Sequence, residues 1–215
     1  MDAAHEDRGC LGGRPAADAA RESSLSAEVL KAARLDEVPT PFDRSYWVLP
    51  GRFLAGAYPG DPVVPEAEKK LRAFLAAGIR CFVDLTMDGD CNLFGQPLIP
   101  YLDLLTQIAG RRFRIICRRM PVADLGTPSR SQMEEILDVV DGAIISGLPA
   151  YVHCLGGIGR TGTVVGCWLV RHGIASGQDA IRLIAKLRRN EARTHITSPE
   201  TEDQRRFIRD WKQGD

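Results

Sequence analysis

The most constraining feature of this chain is a glycine-rich segment between two apolar stretches. Residues 153–162 read His-Cys-Leu-Gly-Gly-Ile-Gly-Arg-Thr-Gly, so Cys154 stands six residues before Arg160. The preceding residues 149–152, Pro-Ala-Tyr-Val, predict a short buried strand, and the apolar run 163–170 predicts a buried helix. A strand, a tight glycine loop and a helix N-terminus together form a cup of inward-facing backbone N–H groups that binds anions.

A cysteine at the base of such a cup makes an anion site reactive. The thiolate is the nucleophilic form of cysteine, and a helix N-terminus, an arginine and a histidine each favour it. We expect Cys154 to attack phosphorus and Arg160 to hold two phosphate oxygens with its planar fork. Thr161 is expected to stabilise the sulfur, and His153 to orient the loop, unless it is simply a satisfied core histidine. The remaining phosphate contacts are expected from the intervening residues, Leu155, Gly156, Gly157, Ile158 and Gly159.

The leaving group of a phosphate ester needs a proton, and Asp124 is the candidate donor. It follows the apolar stretch 113–117, a predicted strand, and precedes a helix whose start is marked by Ser129 and Gln132 at capping-box spacing. The carboxyl ends of parallel strands meet at one edge of a sheet, which would bring Asp124 to the Cys154 loop. The alternative role for Asp124 is to cap that helix.

The Cys-x5-Arg loop, with a His before it and a Thr-Gly after it, resembles the cysteine-dependent protein phosphatases. The Pro-x-x-Asp loop that carries Asp124 resembles the dual-specificity branch, and Gly-Ile-Gly-Arg-Thr-Gly is also similar to tyrosine-specific members. The similarity extends from about Trp47 to Trp211 and includes residues 50–59 and 198–204. It implies a protein-tyrosine or dual-specificity phosphatase that acts through a phosphocysteine intermediate, without metal or cofactor. The implied substrate is a phosphorylated protein or a small phosphoester.

The chain departs from this family pattern near its C-terminal end and within the loop. Tyrosine-specific relatives carry two glutamines there that orient the hydrolytic water. Here Glu200 stands at the first position, so the resemblance leaves Gln204 as the water-positioning candidate. Phosphoinositide-type relatives often place lysines in the loop, where this chain has Leu155 and Ile158, which disfavours highly charged polyphosphate substrates.

Other functions remain open at this stage. An enzyme of inositol phosphates or another non-protein phosphoester would use the same loop, because fold does not fix substrate. A non-catalytic module that binds phosphorylated partners is a further alternative. The spacing Gly157-x-Gly159-x-x-Gly162 also fits a dinucleotide-binding fingerprint, but that interpretation leaves Cys154 and Arg160 without a role.

Strands that alternate with helices predict one α/β domain, with a central, mostly parallel sheet of four to five strands and helices on both faces. The predicted strands cover 53–57, 79–85, 113–117 and 151–153. The predicted helices cover 65–77, 98–109, 129–146, 163–170, a segment capped by Ser176, and a last one from Ser198-Pro199 to near Trp211. Residues 1–41 are predicted to be a partly flexible tail with a short helix over 25–35, and 42–215 the catalytic domain.

Two basic clusters have competing interpretations. Arginines between residues 111 and 119 are expected to be solvated strand ends, or else to place Arg118 or Arg119 beside the phosphate pocket. Arg193, like the basic residues at 186–189, is expected on a helix surface. Residues 87–94 follow the second predicted strand and are expected at the substrate rim.

Composition limits the partners and the cellular location that we expect for the protein. The formal net charge is zero, which gives no reason to expect a nucleic-acid partner. No apolar stretch approaches the length of a membrane span, and the acidic N-terminus has no secretory h-region. Six cysteines at irregular spacing favour a reduced, cytoplasmic location, with Cys81, Cys117 and Cys167 as buried fillers. The oligomeric state is left open.

Overall fold

A five-stranded sheet forms the middle layer of the fold in the computed structural model, which describes residues 24–31, 33, 39–92 and 94–215. Its strands are β1 (Ser45–Leu49), β2 (Phe53–Gly56), β3 (Cys81–Asp84), β4 (Ile116–Arg119) and β5 (Ala150–His153). They lie in the order β1-β2-β5-β3-β4, and all neighbours are parallel except β1 and β2. The predicted α/β class and the mostly parallel sheet are therefore confirmed.

Helices cover both faces of this sheet. They are α1 (24–31), α2 (Val64–Ala76), α3 (Leu102–Ala109), α4 (Arg130–Ile145), α5 (Gly159–Arg171), α6 (Gly177–Leu187) and α7 (Glu202–Asp210). Side chains alternate along the strands, so Tyr151 of β5 packs with α2 and α3 while its neighbours Ala150 and Val152 pack with the helices of the opposite face. No helix in the described part of the chain is long and apolar enough to cross a bilayer.

Several elements differ from the sequence-based predictions. Helix α3 begins at Leu102 and not at 98, and β4 covers Ile116–Arg119 and not 113–117. Strand β1 was not predicted, because its five residues are all buried and show no alternation between apolar and polar side chains. Helix α5 begins at Gly159, four residues before the predicted start, because the end of the glycine loop is already helical. The last helix does not start at Ser198-Pro199; it begins at Glu202, after Thr201, whose side chain caps it.

The N-terminal region is described only in part. The predicted helix over 25–35 is present as α1, and its Leu25 and Val29 are buried against the core of the domain. Glu28 of the same helix pairs with Arg52. The predicted flexible tail over 1–23 lies outside the described residues.

The parallel strands bring three loops to one edge of the sheet. The loop after β3 carries Asp90, the loop after β4 carries Asp124, and the loop after β5 carries Cys154. All three residues follow the carboxyl ends of neighbouring strands, where open α/β sheets bind their ligands. The candidate site is built at this edge.

Candidate active site

The loop after β5 holds Cys154 at its base. The residue is 3 % exposed, and its Sγ accepts a hydrogen bond from the Gly157 amide at 3.3 Å. Gly157 has a φ of +73°, and a Cβ built there would lie 2.5 Å from Gly56 C and 2.6 Å from Ala57 N. Only glycine fits this position, since both its backbone conformation and its close approach to β2 exclude a side chain.

Replacing Gly157 with alanine should therefore destabilise the fold. We expect a loss of about 2–4 kcal/mol in the free energy of unfolding, from left-handed strain and overpacking against backbone. The neighbouring Gly156→Ala is the matched control, because its Cβ would approach Arg193 Nη1 no closer than 3.7 Å, and this substitution should cost less than about 1 kcal/mol. Urea unfolding of both variants measures the difference, and equal losses would contradict the assigned role of Gly157.

The loop turns its carbonyls outward and its amides inward. Leu155 O accepts a hydrogen bond from the Tyr58 amide at 3.1 Å, and Ile158 O accepts one from Ser198 Oγ at 2.8 Å. The amides of Leu155, Gly156 and Ile158 have no hydrogen-bond acceptor among the described residues. Backbone donors that are left free beside a buried sulfur and a helix N-terminus are what an anion-binding cup requires, and binding of phosphate by these residues stays a prediction.

Arg160 lies in the first turn of α5, and its side chain is almost fully buried. Nη1 contacts Asp90 Oδ2 at 2.6 Å and donates to Val122 O at 3.1 Å and Leu85 O at 3.4 Å. Nε and Nη2 have no hydrogen-bond partner among the described residues. Burial lowers the pKa of Arg160, but the nearby Cys154 and Asp90 outweigh it and raise the pKa. One edge of a fixed, charged guanidinium is thus available to an oxyanion.

Asp90 was missed by the sequence reasoning, which placed its loop at the substrate rim without assigning a contact. It is 70 residues from Arg160 in sequence, and its carboxylate fixes Nη1. The Asp90 carboxylate orients the buried guanidinium of Arg160 more firmly than the neutral carbonyls of Leu85 and Val122 do, because a charge-assisted hydrogen bond is stronger than a neutral one. The only signal in the sequence was the position of Asp90 after a predicted strand.

Asp124 stands beside this arginine. Its Oδ1 lies 2.9 Å from Arg160 Nη2, in ion-pair contact without hydrogen-bond geometry, and 59 % of its side chain is exposed. The alternative role as a helix cap is excluded, because Ser129 Oγ caps α4 by accepting from the Gln132 amide at 3.1 Å. The Gln132 side chain donates instead to Pro121 O, so the predicted capping box is only half formed.

The loop of Asp124 is attached to the start of α7. Thr201 Oγ1 donates to Leu125 O at 3.2 Å, and Gln204 Nε2 donates to Gly126 O at 2.9 Å. Leu125 has a φ of +60°, which is rare for a residue with a branched side chain. These two hydrogen bonds hold a strained turn next to the candidate acid.

Gln204 and Glu200 stand where tyrosine-specific relatives carry two glutamines, and they differ in burial and in hydrogen bonding. Gln204 is fully buried, and its Oε1 accepts from the amides of Glu200 and Thr201, both at 3.1 Å. With its Nε2 also bonded to Gly126, both ends of its amide are engaged. Glu200 is exposed and lines the cavity above Cys154.

His153 precedes the glycine loop and Thr161 follows it. His153 is fully buried, and its Nε2 forms a 2.7 Å hydrogen bond with the Tyr101 hydroxyl, while Nδ1 lies 3.7 Å from Asp84 Oδ1. Burial lowers the pKa of His153, so its ring is neutral at pH 7. The Thr161 hydroxyl donates to Gly56 O at 3.4 Å. The structure thus gives Thr161 a backbone partner where the sequence reasoning expected the sulfur.

A cavity of about 410 Å³ opens above these groups. Cys154, Arg160 and Asp124 lie on its wall, so the structure brings the three predicted reactive residues together. Its apolar lining comes from Phe42, Tyr58, Phe94, Leu98, Ile99 and Leu125. Phe94, in the predicted rim segment, is 86 % exposed. The cavity therefore combines a charged base with an apolar rim.

Besides Arg160, the arginines that line the cavity are not the ones that the sequence analysis considered for a place beside the phosphate pocket. Arg118 and Arg119 do not line it; they are exposed, and Arg119 pairs with Asp88 at 2.5 Å. Arg118 and Arg119 are therefore solvated residues at a strand end and do not flank the phosphate pocket. Arg193, expected on a helix surface, lies in the loop after α6 and lines the cavity together with Arg44. No local pattern in the sequence could have revealed this convergence.

Comparison with known proteins identifies the family. The model of the Tc-R-P family, described as "Polymorphic toxin system, DSP-PTPase phosphatase", matches residues 61–174, more than half of the chain. The mouse dual specificity protein phosphatase CDC14B (Mus musculus) is 45 % identical over 49 residues, which are 23 % of this chain and 10 % of that protein. The matched segments span 10 % to 54 % of the curated relatives' own lengths.

Solved structures agree in fold. The active form of Tk-PTP shares 24 % identity with a TM-score of 0.59, over 80 % of this chain and 97 % of that one. PTPMT1 in complex with PI(5)P shares 19 % identity with a TM-score of 0.55, over 77 % and 95 % of the two chains. At these identities the likeness establishes the fold. With the family match, it follows that the chain belongs to the DSP-PTPase phosphatase family of polymorphic toxin systems (Tc-R-P) and is a cysteine-based phosphatase.

Proposed function

We propose that this protein removes phosphate from phosphorylated tyrosine, serine or threonine side chains of proteins, through a phosphocysteine intermediate on Cys154. One observation carries the proposal. The Cys154 sulfur, the Nε–Nη2 edge of Arg160, which makes no hydrogen bond, and the Asp124 carboxylate, which contacts that edge at 2.9 Å, share the wall of one cavity. A nucleophile, an oxyanion clamp and a proton donor are the three parts that phosphate ester hydrolysis needs.

In the first step the Cys154 thiolate attacks phosphorus, and the bond from phosphorus to the ester oxygen breaks. Asp124 gives its proton to that oxygen, so the leaving group departs as a neutral alcohol or phenol. The loop amides and Arg160 hold the three remaining oxygens as charge builds on them. In the second step water attacks the phosphocysteine, its proton goes to Asp124, and inorganic phosphate and the thiolate are released.

We assign the contact with the hydrolytic water to Glu200 in place of Gln204. Glu200 is exposed and lines the cavity, whereas Gln204 is fully buried. Both side chains approach the loop at Gly159, where a built Cβ would lie 2.9 and 3.0 Å from the amide atoms of Gln204 and 3.3 Å from Glu200 Oε2. The Gln204 amide is committed at both ends to α7 and to the Asp124 loop. Gln204 then holds the loop of Asp124 in position, and Glu200 takes the water-positioning role that a glutamine has in tyrosine-specific relatives.

The role of Asp124 makes a prediction about leaving groups. Asp124→Asn should slow hydrolysis of an alkyl phosphate by about 10²-fold or more, because a poor leaving group depends on the donated proton. An activated aryl phosphate should lose far less. Steady-state rates across a series of leaving groups measure this dependence, with Asp88→Asn, an exposed carboxylate of the β3 loop that does not line the cavity, as control. An equal loss for all leaving groups would rule out Asp124 as the acid.

The substrate class can be tested by comparing phosphopeptides with inositol phosphates as substrates. Leu155 and Ile158 place apolar side chains in the loop, which supports a phosphoprotein over a polyphosphate. PTPMT1, a relative in fold, has been solved with PI(5)P, so the inositol lipid alternative is tested alongside. Phosphotyrosine and phosphoserine peptides and inositol phosphates are compared by kcat/KM, with EDTA present. We expect the peptides to be hydrolysed best; preferential hydrolysis of an inositol phosphate would overturn the assignment.

We also propose a cytoplasmic location. All cysteines among the described residues are free, including the exposed Cys91 and the buried Cys154. A thiolate nucleophile must stay reduced to act, because oxidation of its sulfur removes the nucleophile. A reducing compartment meets this need.

A further inference from the structure

Strand β4 is an edge of the sheet, and its outer side has no partner strand among the described residues. The amides of Ile116 and Met120 donate, both at 2.8 Å, to carbonyls of the β3 segment. Alternate residues of a strand face the same neighbour, so the amides of Cys117 and Arg119 point to the open side. The edge therefore offers main-chain donors and acceptors to another strand.

Arginines line this edge and the turn before it. Four of them are exposed and lie beyond ion-pair distance of every carboxylate among the described residues: Arg111, Arg112, Arg114 and Arg118. Arg118 makes a weak hydrogen bond, 3.4 Å long, to the carbonyl of its neighbour Cys117, and Arg119 at the end of the strand pairs with Asp88. Because the formal net charge of the chain is zero, the edge is a local excess of positive charge.

Two of the arginines are held close to each other at the start of this edge. The Cζ atoms of Arg80 and Arg112 lie 4.0 Å and 5.2 Å from the centroid of the Phe113 ring. Burial, and then the charge of Arg112, lower the pKa of Arg80. Like charges near one ring repel each other, and a carboxylate placed beside them would relieve that repulsion.

Main-chain groups and charge together select the occupant of this edge. A second copy of the chain would set one row of arginines against another, and charge on an edge strand opposes such pairing. A nucleic acid or an anionic membrane would contact the arginine side chains but leave the outward amides unpaired. An extended peptide adds to a free sheet edge through main-chain hydrogen bonds, and acidic side chains on it would pair with the arginines opposite.

The edge is separate from the catalytic cavity but close to it along the chain. Arg114 and Arg118 do not line the cavity. The residues after β4 lead directly into the loop of Asp124. A segment bound along the edge would therefore lie beside the active-site loop and leave the phosphate-binding loop open.

We infer that the β4 edge binds an extended acidic segment of a partner protein, which adds to the sheet as a further strand. Arg114 and Arg118 are an even number of residues apart, which places them on one face of an extended chain. Acidic side chains at alternate positions of the added strand pair with them. The inference goes beyond the proposed function, because this binding needs no phosphate on the partner.

The test uses a fluorescent peptide of alternating glutamate and threonine, about eight residues long so that it spans the edge. A second peptide carries glutamine in place of glutamate. Fluorescence anisotropy with the full-length protein should give a Kd about tenfold or more lower for the acidic peptide, and salt should weaken its binding. In the double variant Arg114→Gln/Arg118→Gln, binding of the acidic peptide should weaken about tenfold or more. Hydrolysis of an aryl phosphate by that variant should be unchanged.

The double variant Arg182→Gln/Arg206→Gln is the charge-matched control. Both of these arginines are exposed, on α6 and α7, and their loss should leave the Kd unchanged. Hydrogen exchange tests the geometry, because the outward amides of Cys117 and Arg119 should exchange more slowly when the acidic peptide is bound.

Equal affinity for the acidic and neutral peptides, or full binding by Arg114→Gln/Arg118→Gln, would overturn the docking site. Binding that leaves the exchange of Cys117 and Arg119 unchanged would overturn the added strand. An oligonucleotide or anionic lipid vesicles that bind through the same arginines more tightly than the peptide would overturn the acidic segment as the occupant. None of these outcomes affects the assignment of the phosphatase reaction, which is measured separately.

Discussion

Replacing Cys154 with serine should abolish turnover while preserving the binding of phosphate. A serine hydroxyl is not ionised at neutral pH and is a far weaker nucleophile than a thiolate, so kcat should fall by at least about 10³-fold. The oxygen of serine can still accept the Gly157 amide, and the loop amides and Arg160 are unchanged. Hydrolysis of an aryl phosphate in the presence of EDTA measures the loss.

Binding of phosphate or vanadate to the same variant, followed by calorimetry, shows whether the cup survives. Cys91→Ser is the matched control, since Cys91 is an exposed thiol in the loop that carries Asp90 and should keep full activity. Undiminished hydrolysis by Cys154→Ser would contradict the nucleophile assignment. Loss of anion binding together with activity would show that the variant had lost the loop itself.

Replacing Arg160 with lysine should reduce both turnover and anion binding. Lysine keeps the charge and can reach towards Asp90, but it cannot present the paired Nε and Nη2 donors, which make no hydrogen bond in the structure. Loss of a donor aimed at a developing oxyanion costs about 10²–10³-fold in rate. We expect that decrease in kcat/KM for the aryl phosphate, with weaker vanadate binding as the second readout.

Arg119→Lys is the control for this substitution. Arg119 also pairs with an aspartate of the β3 loop, Asp88, but it is half exposed and lies outside the cavity. It should keep the activity of the unchanged protein. If Arg160→Lys retained full activity and full vanadate binding, a positive charge alone would suffice at this position. Bidentate binding of two phosphate oxygens by Arg160 would then be ruled out. A thermal unfolding curve for each variant separates these effects from a loss of fold.

Cys154, Arg160 and Asp124 could be predicted because local sequence sets their positions. The glycine pattern after an apolar strand dictates the cup, and Asp124 follows another parallel strand that ends at the same edge. Ser129 was identified as the cap of α4 for the same reason, since capping depends on residues within one turn. The sheet itself follows from the alternation of strands and helices.

The supporting contacts could not be predicted, because they join distant parts of the chain. Asp90 meets Arg160 across 70 residues, and Arg44 meets the Gly156 carbonyl across 112. Gln204 was assigned to water through the family resemblance, yet the structure commits its amide to Glu200, Thr201 and Gly126. Polar side chains of this kind carry no periodic signal, and only the folded arrangement defines their partners.

Trapping the phosphorylated enzyme tests the central claim most directly. The protein is mixed with a phosphotyrosine peptide labelled with radioactive phosphorus, denatured in acid within milliseconds, digested and analysed by mass spectrometry. We expect one phosphoryl group on the peptide that carries Cys154, formed at the rate of the first step and absent in Cys154→Ser. Label on another residue, or product formed at full rate with no phosphorylated enzyme at any time, would contradict it.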